Sequence, residues 1–143
     1  MKTHHFLSKL EHARIHRAIS EAERGTSGGI VVFITHKAAP DALAGAHEVF
    51  KRRHLEKAVD DNSLLIFLAP KSQTFAAVGG KALHDRVGQA WWDELADLLG
   101  AHFRDAKFTD GLVAAIEQAG RALRRHFPAG NVDRSDQPDV VEE

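Results

Sequence analysis

Asp60-Asp61-Asn62-Ser63 places three oxygen-bearing side chains and a hydroxyl directly before the apolar run Leu64-Leu65-Ile66-Phe67-Leu68-Ala69, which stops at Pro70. A short apolar run bounded by turn residues predicts a buried strand, so the carboxylates stand at a strand mouth where a rigid sheet can aim them. Hard oxygen donors suit Ca²⁺, which takes six to eight of them, or Mg²⁺, which keeps water. Asp60, Asp61 and Asn62 are therefore the candidate metal ligands. Alternate residues of an extended segment face opposite ways, so a full cage needs further donors such as carbonyls of nearby glycine turns or Asp85. The competing reading is that Asp61 or Asn62 caps the loop ahead of the strand.

A second chemistry belongs to Gly79-Gly80-Lys81. Between a strand and a helical turn, free N–H groups and a lysine can hold an anion such as phosphate. The full Gly-x-x-x-x-Gly-Lys-Ser/Thr pattern is missing, so tight turns explain the glycines as well. His12 and His16 share a helix face, with His5 seven residues before His12, but the glutamate of a His-Glu-x-x-His zinc protease is absent. A solvated face is the competing reading, as it is for the Arg121, Arg124 and Arg125 stripe, placed to complement a helix C-terminus. Ser27, Ser63 and Ser72 lie in no nucleophile elbow.

The elements that must position these groups follow from patterning. Ser8-Lys9-Leu10-Glu11 reads as a capping box, opening a helix to about Arg24 with Ile15, Ile19 and Ala22 inward. Residues 30–35 form the first strand. A helix from about Asp41 turns Leu43, Ala46, Val49 and Phe50 inward, and strand two spans about 63–69. Thr74–Val78 returns antiparallel through a short turn. A helical turn at 82–86 precedes two amphipathic helices. One carries Trp92, Leu95, Ala96, Leu99 and Phe103; the other starts at a Thr109 cap and carries Leu112, Ile116, Ala119, Leu123 and Phe127. The order implies an α/β fold, a three-layer α/β/α sandwich with a small mixed sheet. Strand direction brings Gly28-Gly29, Asp60-Asp61-Asn62 and Gly79-Gly80-Lys81 to one rim. One domain over 1–128 is expected, with 129–143 a flexible acidic tail.

Composition limits the function classes. A net charge of -1 over 143 residues gives no basic field for nucleic acid. Cysteine is absent, which removes disulfides and thiolate chemistry. No window is apolar enough to insert in a membrane, and the N-terminus lacks a secretory h-region. A soluble cytoplasmic protein is expected.

Thr26-Ser27-Gly28-Gly29-Ile30-Val31-Val32, Asp61-Asn62-Ser63-Leu64-Leu65-Ile66, Val78-Gly79-Gly80-Lys81-Ala82-Leu83, Trp92 and Phe103–Leu112 together resemble the TPM domain family, the thylakoid-lumen-phosphatase-like domain. The resemblance covers about residues 8–128 and is to the small soluble bacterial branch. It implies an α/β/α sandwich, calcium binding as in some members, and a phosphatase activity as in the plant branch. The family's strand-mouth motif is Asp-Asn-Gly; Asp61 and Asn62 match it and Ser63 departs. Gly29 and Gly80 stand where that branch usually carries acids. Losing two carboxylates lowers the expected metal affinity. The expectation is a binding or accessory domain with weak Ca²⁺ binding at the rim and an unidentified protein partner. The alternative is a phosphatase-type hydrolase acting on phosphate esters, with Asp61 holding a metal or acting as nucleophile and Lys81 neutralising phosphoryl oxygens.

Overall fold

The computed structural model describes residues 10–55, 61–128 and 140–143. Within them lie α1 (His12–Glu23), β1 (Gly29–Ile34), α2 (Ala42–Arg52), β2 (Ser63–Ala69), β3 (Thr74–Gly79), α3 (Lys81–Val87), α4 (Gln89–Arg104), α5 (Phe108–His126) and β4 (Val140–Glu142). The sheet order is β3-β2-β1-β4. β1 runs parallel to β2 and β4, and β3 runs antiparallel to β2. The expected α/β sandwich with a mixed sheet is the observed fold.

Period-two alternation divides the core. Ile30, Val32, Ile34, Leu64, Ile66 and Leu68 face α1, α4 and α5, where Ile15, Ile19, Leu95, Leu99, Leu112, Ile116 and Leu123 pack against them. Val31, Phe33, Leu65 and Phe67 face α2 and meet Ala46, Val49 and Phe50. β1 and β2 are buried at every position, which is why they read as unbroken apolar runs. The β1–α2–β2 crossover fixes their parallel pairing. Pro70–Ser72 forms a single 3-10 turn, and Gln73 in left-handed geometry (φ 54°) sends the chain back as β3.

Several expectations need correction. α1 begins at His12, with Glu11 outside it, so Glu11 cannot serve at the third helical position of a capping box; Ser8 lies outside the described residues. Instead the Glu11 N–H donates to Thr109 Oγ1 at 3.0 Å. Thr109 is thus inside α5 and spends its hydroxyl between helices, and Lys107 holds the cap position. Leu43 is 54% exposed, because the inward face of α2 is already filled by Ala46, Val49 and Phe50. Ala96 is exposed on α4. Arg124 is not merely solvated: its guanidinium donates to the Ala22 carbonyl at 3.1 Å, at the C-terminus of α1.

The largest correction concerns the end of the chain. Val140–Glu142, expected within a loose tail, is a parallel edge strand on β1, in register Val32↔Val140 to Ile34↔Glu142. The Glu143 N–H donates to the Ile34 carbonyl, and the Glu143 carbonyl accepts from the His36 N–H, both at 3.0 Å. Arg52 and Arg53 reach the Glu143 carboxylate at 3.1 and 3.7 Å. A three-residue strand carries almost no periodic signal, and β1 supplies the pairing edge. Residues 129–139 lie outside the described residues.

Candidate functional site

The rim stands at the amino ends of β1 and β2 and the carboxyl end of β3. Register pairs Gly29 with Ser63 and Leu64 with Gly79. The Gly80 N–H then donates to the Ser63 carbonyl at 2.9 Å. The three turns expected to converge do so. Asp60 lies outside the described residues.

Asp61 adopts left-handed geometry (φ 50°), which Asp tolerates better than most residues. That bend turns its carboxylate across the rim, where Oδ2 accepts the Lys81 N–H at 2.9 Å. The amide is the first of α3, so Asp61 caps that helix from another segment. Gly80 must be glycine here. A Cβ would stand 2.0 Å from the Asp61 carbonyl oxygen and 2.4 Å from Oδ1. The place of the expected acid is thus filled by Asp61 itself.

Asn62 is fully buried and its Nδ2 donates to Ser27 Oγ at 2.9 Å, tying β2 to the α1–β1 turn. That turn is held by Thr26, whose buried Oγ1 lies 2.6 Å from the Phe127 carbonyl oxygen and accepts the Gly28 N–H. Asp61 Oδ1, Asn62 Oδ1 and Ser63 Oγ are buried without a hydrogen-bond partner among the described residues. Three consecutive residues with unmatched oxygens are an exception to the rule that buried polar groups are paired. Oxygen atoms of this kind fit a hard cation.

The anion-binding set behaves differently. Gly79 packs on Trp92, where an added Cβ would stand 2.8 Å from the ring. The N–H groups of Gly80 and Lys81 are both donated inside the protein. Lys81 Nζ, on a largely exposed side chain, sits 2.9 Å from Asp85 Oδ2. That hydrogen bond raises the Lys81 pKa and lowers that of Asp85. Asp85 is therefore a partner of lysine here.

The histidines do not join the rim as a cluster. His12 and His16 are exposed on α1, and His5 lies outside the described residues. His84 stacks on Trp92 with ring centroids 6.3 Å apart. No group of three or more His, Asp or Glu side chains suited to a metal occurs among the described residues. Sequence reasoning missed two contributors. Ser27 orients Asn62, and Glu23 Oε2 accepts the Ile30 N–H at 2.9 Å, where β1 begins. Neither pairing has a local signal, since both join a helix end or turn to a strand.

Fold and rim together define a three-layer α/β domain with a polar site at the amino edge of a parallel strand pair. The chain belongs to the TPM domain family, whose profile matches residues 1–122. It is similar to the BA42 protein of the psychrophilic bacterium Bizionia argentinensis, solved by NMR, at 30% identity and TM-score 0.82, covering 94% of this chain and 96% of that one. The N-terminal domain of the cg2496 protein of Corynebacterium glutamicum shares the fold at 15% identity and TM-score 0.62, covering 88% of this chain and 80% of that one. An N-terminal domain from P. gingivalis does so at 14% and 0.62, covering 85% and 83%. No curated protein matches. Among the described residues no helix is long and apolar enough to cross a membrane.

Proposed function

We propose that this TPM domain is a binding module whose rim takes a divalent cation, Ca²⁺, with low affinity. The observation that carries the reading is the pair of buried, unmatched carboxylate and carboxamide oxygens, Asp61 Oδ1 and Asn62 Oδ1. A cation would satisfy both, and an orphaned buried acceptor is costly without one. Low affinity follows from charge. Among the described residues Asp61 is the one rim carboxylate with a buried, unmatched oxygen, since Glu23 Oε2 accepts the Ile30 N–H, and the neighbouring Lys81 ammonium opposes a second cation. Sites poor in carboxylates bind Ca²⁺ on the order of 0.1–1 mM.

Binding is favoured over phosphate-ester hydrolysis by the engagement of the groups that hydrolysis would need. Asp61 Oδ2 is held by an amide, and Lys81 is paired with Asp85. Neither is poised toward a phosphoryl group. The accessory role and its protein partner rest on the family likeness.

Calcium titration of ¹⁵N-labelled protein tests the proposal. Amides of residues 61–63 and 79–81 should shift together and saturate in the millimolar range, and Asn62→Ala should abolish the effect, its own spectral changes centring on residue 62 and on the α1–β1 turn that it ties through Ser27. Saturation at micromolar Ca²⁺ contradicts the low-affinity assignment, and an unresponsive rim removes it. For the hydrolase reading, wild type and Asp61→Ala are compared on a chromogenic phosphate ester. Equal rates exclude an Asp61-dependent hydrolase.

A further inference from the structure

At the opposite edge of the sheet, beyond the carboxyl end of β2, lies a cavity of about 430 Å³. In open α/β sheets ligands commonly bind outside the carboxyl ends of parallel strands, and this volume is within the range that holds small organic ligands. Its walls are mostly apolar, with Leu68, Phe75, Phe103 and Phe108 around the space left by Gly100, and Gln73 and Thr74 are the uncharged polar side chains that line it. The three phenylalanines form one aromatic corner. Phe75 and Phe103 meet edge to face at 5.2 Å, and Phe103 and Phe108 lie 5.7 Å apart.

One charged side chain lines this cavity, that of Arg104, at the end of α4. It is exposed and makes no ion pair or hydrogen bond among the described residues. Arg14, Arg52 and Arg53 all engage carboxylates elsewhere on the surface. A guanidinium beside an aromatic cavity is matched by a ligand that carries a carboxylate and an apolar body, because the planar fork binds carboxylate bidentately. The two turns that bound the cavity are built on non-glycine residues in left-handed geometry, Gln73 (φ 54°) and Ala106 (φ 58°). Strain of this kind tends to gather at ligand clamps.

We infer that this cavity binds a small monocarboxylate with an apolar body, its carboxylate on Arg104 and its body against Phe75, Phe103 and Phe108. The site is separate from the rim, and its success or failure leaves the cation proposal untouched.

The test uses ¹⁵N-labelled protein titrated with decanoate below its critical micelle concentration, and in a second arm with naphthoate, so that a linear acyl body is distinguished from an aryl one. Decanol is the uncharged control. Saturable shifts should appear at the amides of Phe75, Gly100, Phe103 and Ala106 for at least one acid, and decanol should bind more weakly. Arg104→Gln should weaken the acid by about tenfold or more, since a charge-assisted hydrogen bond is lost. Gly100→Leu should remove binding with the fold retained by circular dichroism. An added Cβ at Gly100 would meet Arg104 Nη1 at 3.4 Å and Phe75 at 3.6 Å, both movable side-chain ends, so the larger side chain fills the space between the guanidinium and the aromatic wall. Decanol binding as tightly as decanoate, unchanged affinity in either variant, or shifts that scatter or fail to saturate would overturn the inference.

Discussion

Asp61 Oδ2 accepts the main-chain N–H of Lys81 at 2.9 Å, joining the mouth of β2 to the first turn of α3 across twenty positions of sequence. The bond depends on the left-handed bend at Asp61 and on the missing side chain at Gly80. It converts the residue that looked most like a metal ligand into one with two duties. Oδ2 serves structure and Oδ1 is left over.

Asp61→Ala should therefore destabilise the protein even without calcium. A lost helix-terminal acceptor costs about 1 kcal/mol, and placing alanine at positive φ adds about another 1 kcal/mol. Asp61→Asn keeps both the acceptor and the tolerance for left-handed geometry, so it should lose less than half as much. Urea midpoints of the three proteins decide this, and equal losses would show that the cap is unimportant.

Gly80→Ala should be worse than either. The added Cβ would fall 2.0 Å from a main-chain oxygen, which cannot swing aside as a side chain can. Overpacking of this type costs about 1–3 kcal/mol, and here the upper end is expected. Thermal melts that leave Gly80→Ala within a degree of wild type would show that the β3–α3 turn relaxes freely.

Removing residues 140–143 should cost about 2–3 kcal/mol. Half-buried Val140 and Val141 and the two main-chain bonds to Glu143 are lost together. The exposed edge of β1 should also promote association, readable as a rise in light scattering on mild heating. A truncated chain with wild-type stability would mean that β4 is dispensable.

The acid limb of stability should carry a small signature of Asp85. Its pKa is lowered by the hydrogen bond from Lys81, so the stabilisation is present above the ordinary carboxylate range and lost as pH falls through the depressed value. Lys81 has the opposite sign: its raised pKa gives stabilisation at neutral pH that is lost at high alkaline pH. Asp85→Asn should thus melt slightly below wild type at pH 7, with the gap closing toward pH 2 and shrinking in high salt, since the pair is exposed. A gap that is constant with pH would assign the effect to packing.

Most of the fold was legible because its signals are periodic. β1 and β2 are buried at every position since helices cover both faces, and Leu64–Leu68 divides between them by simple alternation. Errors fell where a residue had two outlets. Thr109 carries the chemistry of a cap but bonds Glu11 on another segment, and Leu43 fits an apolar stripe already filled. The cavity at Arg104 had no sequence signal, since Phe75, Phe103 and Phe108 come from separate elements and look like ordinary core residues.

By itself the sequence determined the segments that form β1 to β3 and the helices, that β1 and β2 run parallel, and that Asp61, Asn62 and the Gly79-Gly80-Lys81 turn share an edge. Those follow from local periodicity and from the length of the β1–β2 crossover. Tertiary structure alone decided what the shared edge is made of. It committed Asp61 Oδ2 and the Gly80 and Lys81 amides to the protein, left Asp61 Oδ1 and Asn62 Oδ1 unmatched, and paired Val140–Glu142 with β1. Hydrogen-bond partners and close approaches between distant segments are properties of three-dimensional packing, and no spacing along the chain encodes them.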